Sequence, residues 1–139
     1  MDTAMVDALY PWMHLIGRTL FALIFITSAI GHFTQYSGMV GYAASRGTPW
    51  PKIMVPLTGL MSLIGGLTLV LGWHRFIGAG LLFIFMVWTS YFIHHFWTET
   101  DPMTRMNERI HFMKDVSMGG AALFMAYYSG SYWPMSIGG

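Results

Sequence analysis

The sequence predicts an all-α integral membrane four-helix bundle, divisible into two tandem helical hairpins, and three observations predict it. The 139 residues are 55% hydrophobic and 9% charged, where soluble chains carry about a quarter charged residues. A membrane-spanning helix needs roughly 20 mostly apolar residues, and such stretches can be drawn over about 12–33, 53–71, 76–97 and 110–128. Small residues recur inside the second and fourth stretches, where they let membrane helices approach closely. Little chain is left over, so residues 1–139 read as a single transmembrane domain.

The first helix, about 12–33, follows Asp2 and Asp7 rather than a basic leader, and no small-x-small pattern follows Ile30, so it is expected to stay as a span and not to be cleaved as a signal peptide. Arg18 lies one turn inside it, with Asp7, His14 or the headgroups as its expected partners. The connection from Thr34 to Lys52 holds Gly38, Gly41, Gly47, Pro49 and Pro51, and "YAASRGTPWP" within it reads as a short amphipathic turn of helix along the interface. Helix two, about 53–71, carries Ser62-Leu63-Ile64-Gly65-Gly66 and ends at the tight connection Gly72-Trp73-His74-Arg75. Helix three, about 76–97, closes on His94-His95-Phe96, as helix one closes on Gly31-His32-Phe33. After a polar connection with a cap signal at Asp101-Pro102, helix four, about 110–128, carries Ser117-Met118-Gly119-Gly120. The echo between the halves suggests two related hairpins.

Four spans put both termini on one side and the two longer connections on the other. Arg46, Lys52, Arg105 and Arg109, with Lys114 at the mouth of helix four, outnumber Arg75 and Arg18 on the terminal side. The positive-inside rule then places the long connections in the cytoplasm and the termini outside.

Histidines gather at the long-loop side: His32, His94, His95 and His111. A helix running back to Glu108 puts Glu108, His111 and Asp115 on one face at i, i+3 and i+7, with Lys114 beside them. Ionisable groups at membrane depth are costly and mark a ligand or proton path when they face the bundle interior, although His, Trp and Lys also serve as interfacial anchors. A quinone pocket needs a proton-exchanging histidine or carboxylate and an aromatic, methionine-rich slot, which Trp97, Phe96, Phe33, Tyr36, Phe112 and Met113 could line. A metal site is not expected, because Glu-x-x-His occurs once where di-iron bundles use it on two helices with further glutamates. The chain has no cysteine, hence no disulfide, thiol nucleophile or thiolate metal site, and its net charge of +1 with scattered basic residues gives no nucleic-acid footprint.

The segments "FITSAIGHF", "GYAASRGTPWP", "LTGLMSLIGGLTLVLGWHRFIGAGLL", "HHFW" and "FMKDVSMGGAALF" resemble, in this order, the DoxX family of small four-helix bacterial and archaeal membrane proteins, over about residues 15–128. The resemblance implies a subunit of the cytoplasmic membrane, and its relatives include the large-subunit type of thiosulfate:quinone oxidoreductase, which works beside a second subunit. Members often show lysine near the position of His32 and asparagine near that of Asp115, and this chain departs from both.

Three functions are therefore weighed. In a quinone-linked redox complex, His95 or His111 would exchange the proton, Glu108 or Asp115 would relay it, Lys114 would hold a carbonyl or anion, and His32, His94 and Trp97 would help bind the ligand. As a structural subunit, the chain would offer its helices to other membrane subunits, with Glu108, Arg109 and Lys114 for docking. A transporter ranks last, since no helix centre carries the polar residue or break of a midplane site.

Overall fold

The computed structural model describes residues 3–138. They form α1 (Thr3–Thr34), α2 (Tyr36–Ser45), α3 (Pro51–Leu71), α4 (Arg75–Phe92) and α5 (Pro102–Tyr127), with single 3-10 turns at Phe96–Thr98 and Tyr128–Gly130. No strand occurs among the described residues.

The helix limits differ from the hydropathy limits wherever hydrogen bonding overrides apolarity. α1 begins at Thr3 rather than near residue 12, because backbone bonding continues past the apolar stretch. α4 stops at Phe92 rather than Trp97: Ile93 and His94 both donate to the Thr89 carbonyl, at 2.9 and 3.2 Å, and Arg46 Nε takes the Ile93 carbonyl at 2.7 Å. His94 and His95 thus follow the helix instead of ending it. α5 begins at Pro102, well before residue 110, because proline suits the first helical position and the Asp101 carboxylate accepts from Thr104 N–H at 2.8 Å.

α1 packs along α3 and α4 along α5, the two most extensive pairings, and α3 against α4 joins these halves. α1 and α5 stand at the ends of this series and their backbones barely approach. α2 lies across the long-loop end, against α3. Close contact is set by glycines: a Cβ on Gly59 would come 2.6 Å from His32 Cβ, one on Gly65 2.6 Å from Leu82 Cδ2, and one on Gly66 2.8 Å from Ile26 Cγ1. Gly119 makes only ordinary contact with Met86, at 3.6 Å, and Gly120 faces open space. The small-residue signal in the second expected helix therefore marks the true contact line, and in the last it marks it only at Gly119. Phe25, Leu69, Ala79, Leu82, Phe85, Met86 and Ala122 form the core, with Trp133 from the C-terminal segment.

That segment folds back over the terminal end. Gly72 adopts a left-handed conformation at φ 68° and closes α3, with Trp73 N–H donating to the Thr68 carbonyl at 2.9 Å, and Ile137 N–H donates to the Leu71 carbonyl at 2.9 Å. Arg18 is 2% exposed, and of its expected protein partners it meets His14 and not Asp7. Its guanidinium donates to the carbonyls of Val70 (3.1 Å), Pro134 (2.8 Å) and Met135, and to His14 Nδ1 (3.3 Å).

By length and composition α1, α3 and residues 75–98 are apolar enough to cross a membrane. α5 has the length, but Arg105, Glu108, Arg109, Lys114 and Asp115 lower its hydropathy. The chain is a multi-pass membrane protein built as a helical bundle.

Candidate functional site

At the long-loop end the charges of α5 are neutralised from two loops. Glu108 Oε2 accepts from His94 Nδ1 at 2.8 Å and lies 3.7 Å from the Arg46 guanidinium, which also pairs with Glu99. His94 Nε2 faces Asp115 Oδ2 at 3.8 Å, and Lys114 Nζ lies 3.7 Å from Asp115 Oδ1 and 3.4 Å from His111 Nδ1. The His94 and His111 rings stack with centroids 5.0 Å apart. The helix register accounts for this: Glu108, His111 and Asp115 share one face of α5, and the early end of α4 frees His94 to reach across to it.

Asp115 is 2% exposed, and its Oδ2 has no hydrogen-bond partner among the described residues. His94 Nδ1, 2.8 Å from a carboxylate, carries a hydrogen. In a neutral ring Nε2 is then a bare acceptor, facing a second bare acceptor, Asp115 Oδ2, across 3.8 Å. Two acceptors that face each other with no hydrogen between them leave the buried Asp115 oxygen unsatisfied. No group of three His, Asp or Glu side chains arranged to hold a metal ion occurs among the described residues.

His94 also lines a cavity of about 240 Å³ enclosed by α1, α2, α3 and α4. Its walls are mostly apolar, with Met39, Tyr42, Met54, Phe85 and Trp88 around the polar His32 and Thr48. Burial, and next the nearby Glu108 charge, hold the Tyr42 phenol above its usual range, so it stays protonated. His32 Nδ1 donates to the Ser28 carbonyl at 2.8 Å, which leaves Nε2 as an acceptor in the neutral ring. A second, smaller cavity of about 190 Å³ shares Ser28, Phe85, Thr89 and His94 with the first and reaches Lys114 and Asp115. His94 thus stands between the apolar chamber and the buried carboxylate.

Of the residues the sequence singled out, His94, His111, Glu108, Asp115 and Lys114 come together, and His32 lines the chamber. His95 and Trp97 do not join them. His95 Nδ1 donates to the Phe92 carbonyl at 3.0 Å, and Trp97 packs with Phe96 and Phe112 at centroid distances of 5.4 and 5.7 Å. Phe33, Tyr36, Phe112 and Met113 lie outside the chamber lining as well. Sequence reasoning missed Arg46 and Glu99. The signal available for Arg46 was charge balance: the acidic residues of this end needed a cation, and Arg46 lies in a connection on the same side.

The DoxX family profile matches residues 13–95. Inner membrane protein YphA of Escherichia coli (strain K12) is 32% identical over 116 residues, 84% of this chain and 82% of that protein. Inner membrane protein YqjF of the same organism is 30% identical over 112 residues, 81% of this chain and 80% of that protein. No solved structure matches the chain. The chain belongs to the DoxX family.

Proposed function

We propose that this DoxX-family protein is the membrane subunit of a larger quinone-linked redox complex, and that the chamber beside His94 takes the ring of the quinone. One observation carries the reading: a mostly apolar, aromatic and methionine-lined cavity has in its wall a histidine that also meets a buried carboxylate. Ionisable groups this deep are retained at a cost that mere docking does not require. The lining fits the group, since Phe85, Trp88 and Met54 suit a flat apolar ring, while Tyr42 and Thr48 hydroxyls and the histidines suit its oxygens.

A bound quinone supplies two-electron, two-proton chemistry, and a partner subunit supplies or accepts the electrons. The chain's own part is protonic. His94 is the group at the chamber wall that gives or takes a proton, in place of the His95 or His111 expected from the sequence. Asp115 holds that proton on the far side, Glu108 fixes the His94 ring through Nδ1, and Lys114 with His111 leads from Asp115 to the exposed surface of α5. Arg46 lies beside Glu108 and ties the connection after α2 to the one after α4.

Gentle solubilisation of native membranes, followed at once by extraction of quinone and identification of co-purifying subunits, tests the reading. Wild type is expected to retain quinone, and His94→Gln and Asp115→Asn to lose most of it while keeping the partner subunits. A stoichiometric complex without quinone, unchanged by either substitution, would instead make the chain a structural subunit.

A further inference from the structure

Two guanidinium groups meet at the terminal end of the bundle, and among the described residues no carboxylate pairs with them. Arg18 is satisfied by carbonyls and by His14, and Arg75 donates to the Ser131 carbonyl at 3.2 Å. Their guanidinium carbons lie 5.8 and 5.4 Å from the centroid of the Trp133 ring. Every ion pair among the described residues lies at the opposite, long-loop end, and Asp7, on α1 near this end, is exposed and joins none. Carbonyl dipoles solvate a cation without cancelling its charge, so among the described residues the positive charge at this end has no counter-charge.

Beside the two cations lies a cavity of about 290 Å³ between α1, α5 and the C-terminal segment, with Tyr10, His14, Tyr128, Tyr132 and Trp133 in its lining. A guanidinium N–H can only donate, so His14 Nδ1 accepts from Arg18 and the neutral ring carries its hydrogen on Nε2. The hydroxyls of Tyr10, Tyr128 and Tyr132 have no hydrogen-bond partner among the described residues. The cavity is thus walled by spare donors and backed by positive charge. It opens on the seam where α1 and α5 barely approach, and Ile24 and Phe25 of α1 face Met118 of α5 across the smaller cavity that reaches Asp115 further along that seam.

We propose that this cavity binds the headgroup of one anionic phospholipid, whose phosphate takes hydrogen bonds from His14 and the tyrosines near Arg18 and Arg75, and whose acyl chain lies in the α1/α5 seam. The charge selects an anion. The apolar seam, facing the bilayer, selects a lipid over a free phosphate.

Native mass spectrometry of the purified chain in neutral detergent, supplemented with equal phosphatidylglycerol and phosphatidylcholine, reads the site directly. One retained phosphatidylglycerol is expected, preferred by about fivefold for each cation engaged. Arg75→Gln and His14→Phe are each expected to remove most of that preference, and millimolar inorganic phosphate to leave it intact. The combined Tyr10→Phe, Tyr128→Phe, Tyr132→Phe variant keeps every ring and deletes only donors, so it is informative even if the other two misfold, and it too is expected to lose the preference. Equal retention of both lipids by wild type, displacement by inorganic phosphate, or an unchanged preference in a folded variant would overturn the proposal.

Discussion

Arg46, which the sequence did not pick out as a site residue, ties three groups together at the long-loop end. It takes the Ile93 carbonyl, pairs with Glu99 and lies 3.7 Å from Glu108, all while half-buried. Removing one partner from such a network leaves the other charges uncompensated, at a cost of about 3 kcal/mol. Arg46→Gln is therefore expected to lower the thermal midpoint in detergent by several degrees. Glu99→Gln in the Arg46→Gln background should add much less than it costs in wild type, because the partner is already gone; strict additivity of the two would mean that the pair is not coupled. The α5 half of this network was legible in the sequence, since Glu108, His111 and Asp115 fall on one helix face by spacing alone. The other half was not, because Arg46, Glu99 and His94 reach the site through loop geometry that no periodicity encodes. His94 and His95 are neighbours in sequence, and only the end of α4 at Phe92 decides that the first joins the carboxylates and the second does not.

At the scale of the helices, the glycines separate contact from ornament. A Cβ on Gly78 would overlap Thr68 Oγ1 and lie 3.2 Å from the Gly65 carbonyl, so Gly78→Ala is expected to force α3 and α4 apart at a cost of about 1–3 kcal/mol. Gly120 has open space around it, and Gly120→Ala should be neutral or stabilising by about 0.5 kcal/mol through helix propensity. Detergent thermal unfolding of the two variants checks the contrast, and equal midpoints would refute this packing of α3 on α4. The N-terminus of α5 makes a separate prediction about pH. The Thr104 N–H bond, chiefly, holds the Asp101 carboxyl below its ordinary range. A carboxyl lowered in the folded state stabilises above its unfolded value and loses that contribution as pH falls through the folded value. The protection factors of the first-turn amides of α5, after correction for the intrinsic exchange rate, should therefore fall in acid, below the usual carboxylate range, and Asp101→Ala should remove that pH dependence. The Asp101-Pro102 start was legible from capping chemistry. The true starts and ends of α1 and α4 were not, because hydropathy marks where a helix can lie in lipid and hydrogen bonding marks where it stops.

For the whole molecule, the packing argues that α5 crosses the membrane. α5 pairs with α4 as extensively as α1 pairs with α3, its Gly119 and Ala122 are buried against the bundle, and its two deepest charges, Lys114 and Asp115, lie together near the His94 end. A helix whose polar groups are paired at one end and whose remainder packs in the core can span although its overall hydropathy falls below that of its neighbours. Four crossings would put Thr3 and Ser131 on one side and Thr100 on the other, and the excess of basic residues in the long connections predicts that Thr100 faces the cytoplasm. The absence of cysteine makes this directly measurable. Thr3→Cys, Thr100→Cys and Ser131→Cys, all at exposed positions, can be labelled in intact cells with a membrane-impermeant maleimide. Thr3→Cys and Ser131→Cys should react without permeabilisation, and Thr100→Cys only after it. The reverse pattern would keep four spans and invert the orientation, so that the chamber beside His94 opens outward. Opposite behaviour of Thr3→Cys and Ser131→Cys would instead mean three crossings with α5 lying outside the bilayer, where Asp115 would no longer be at membrane depth and the protonic reading of the His94 site would lose its energetic basis.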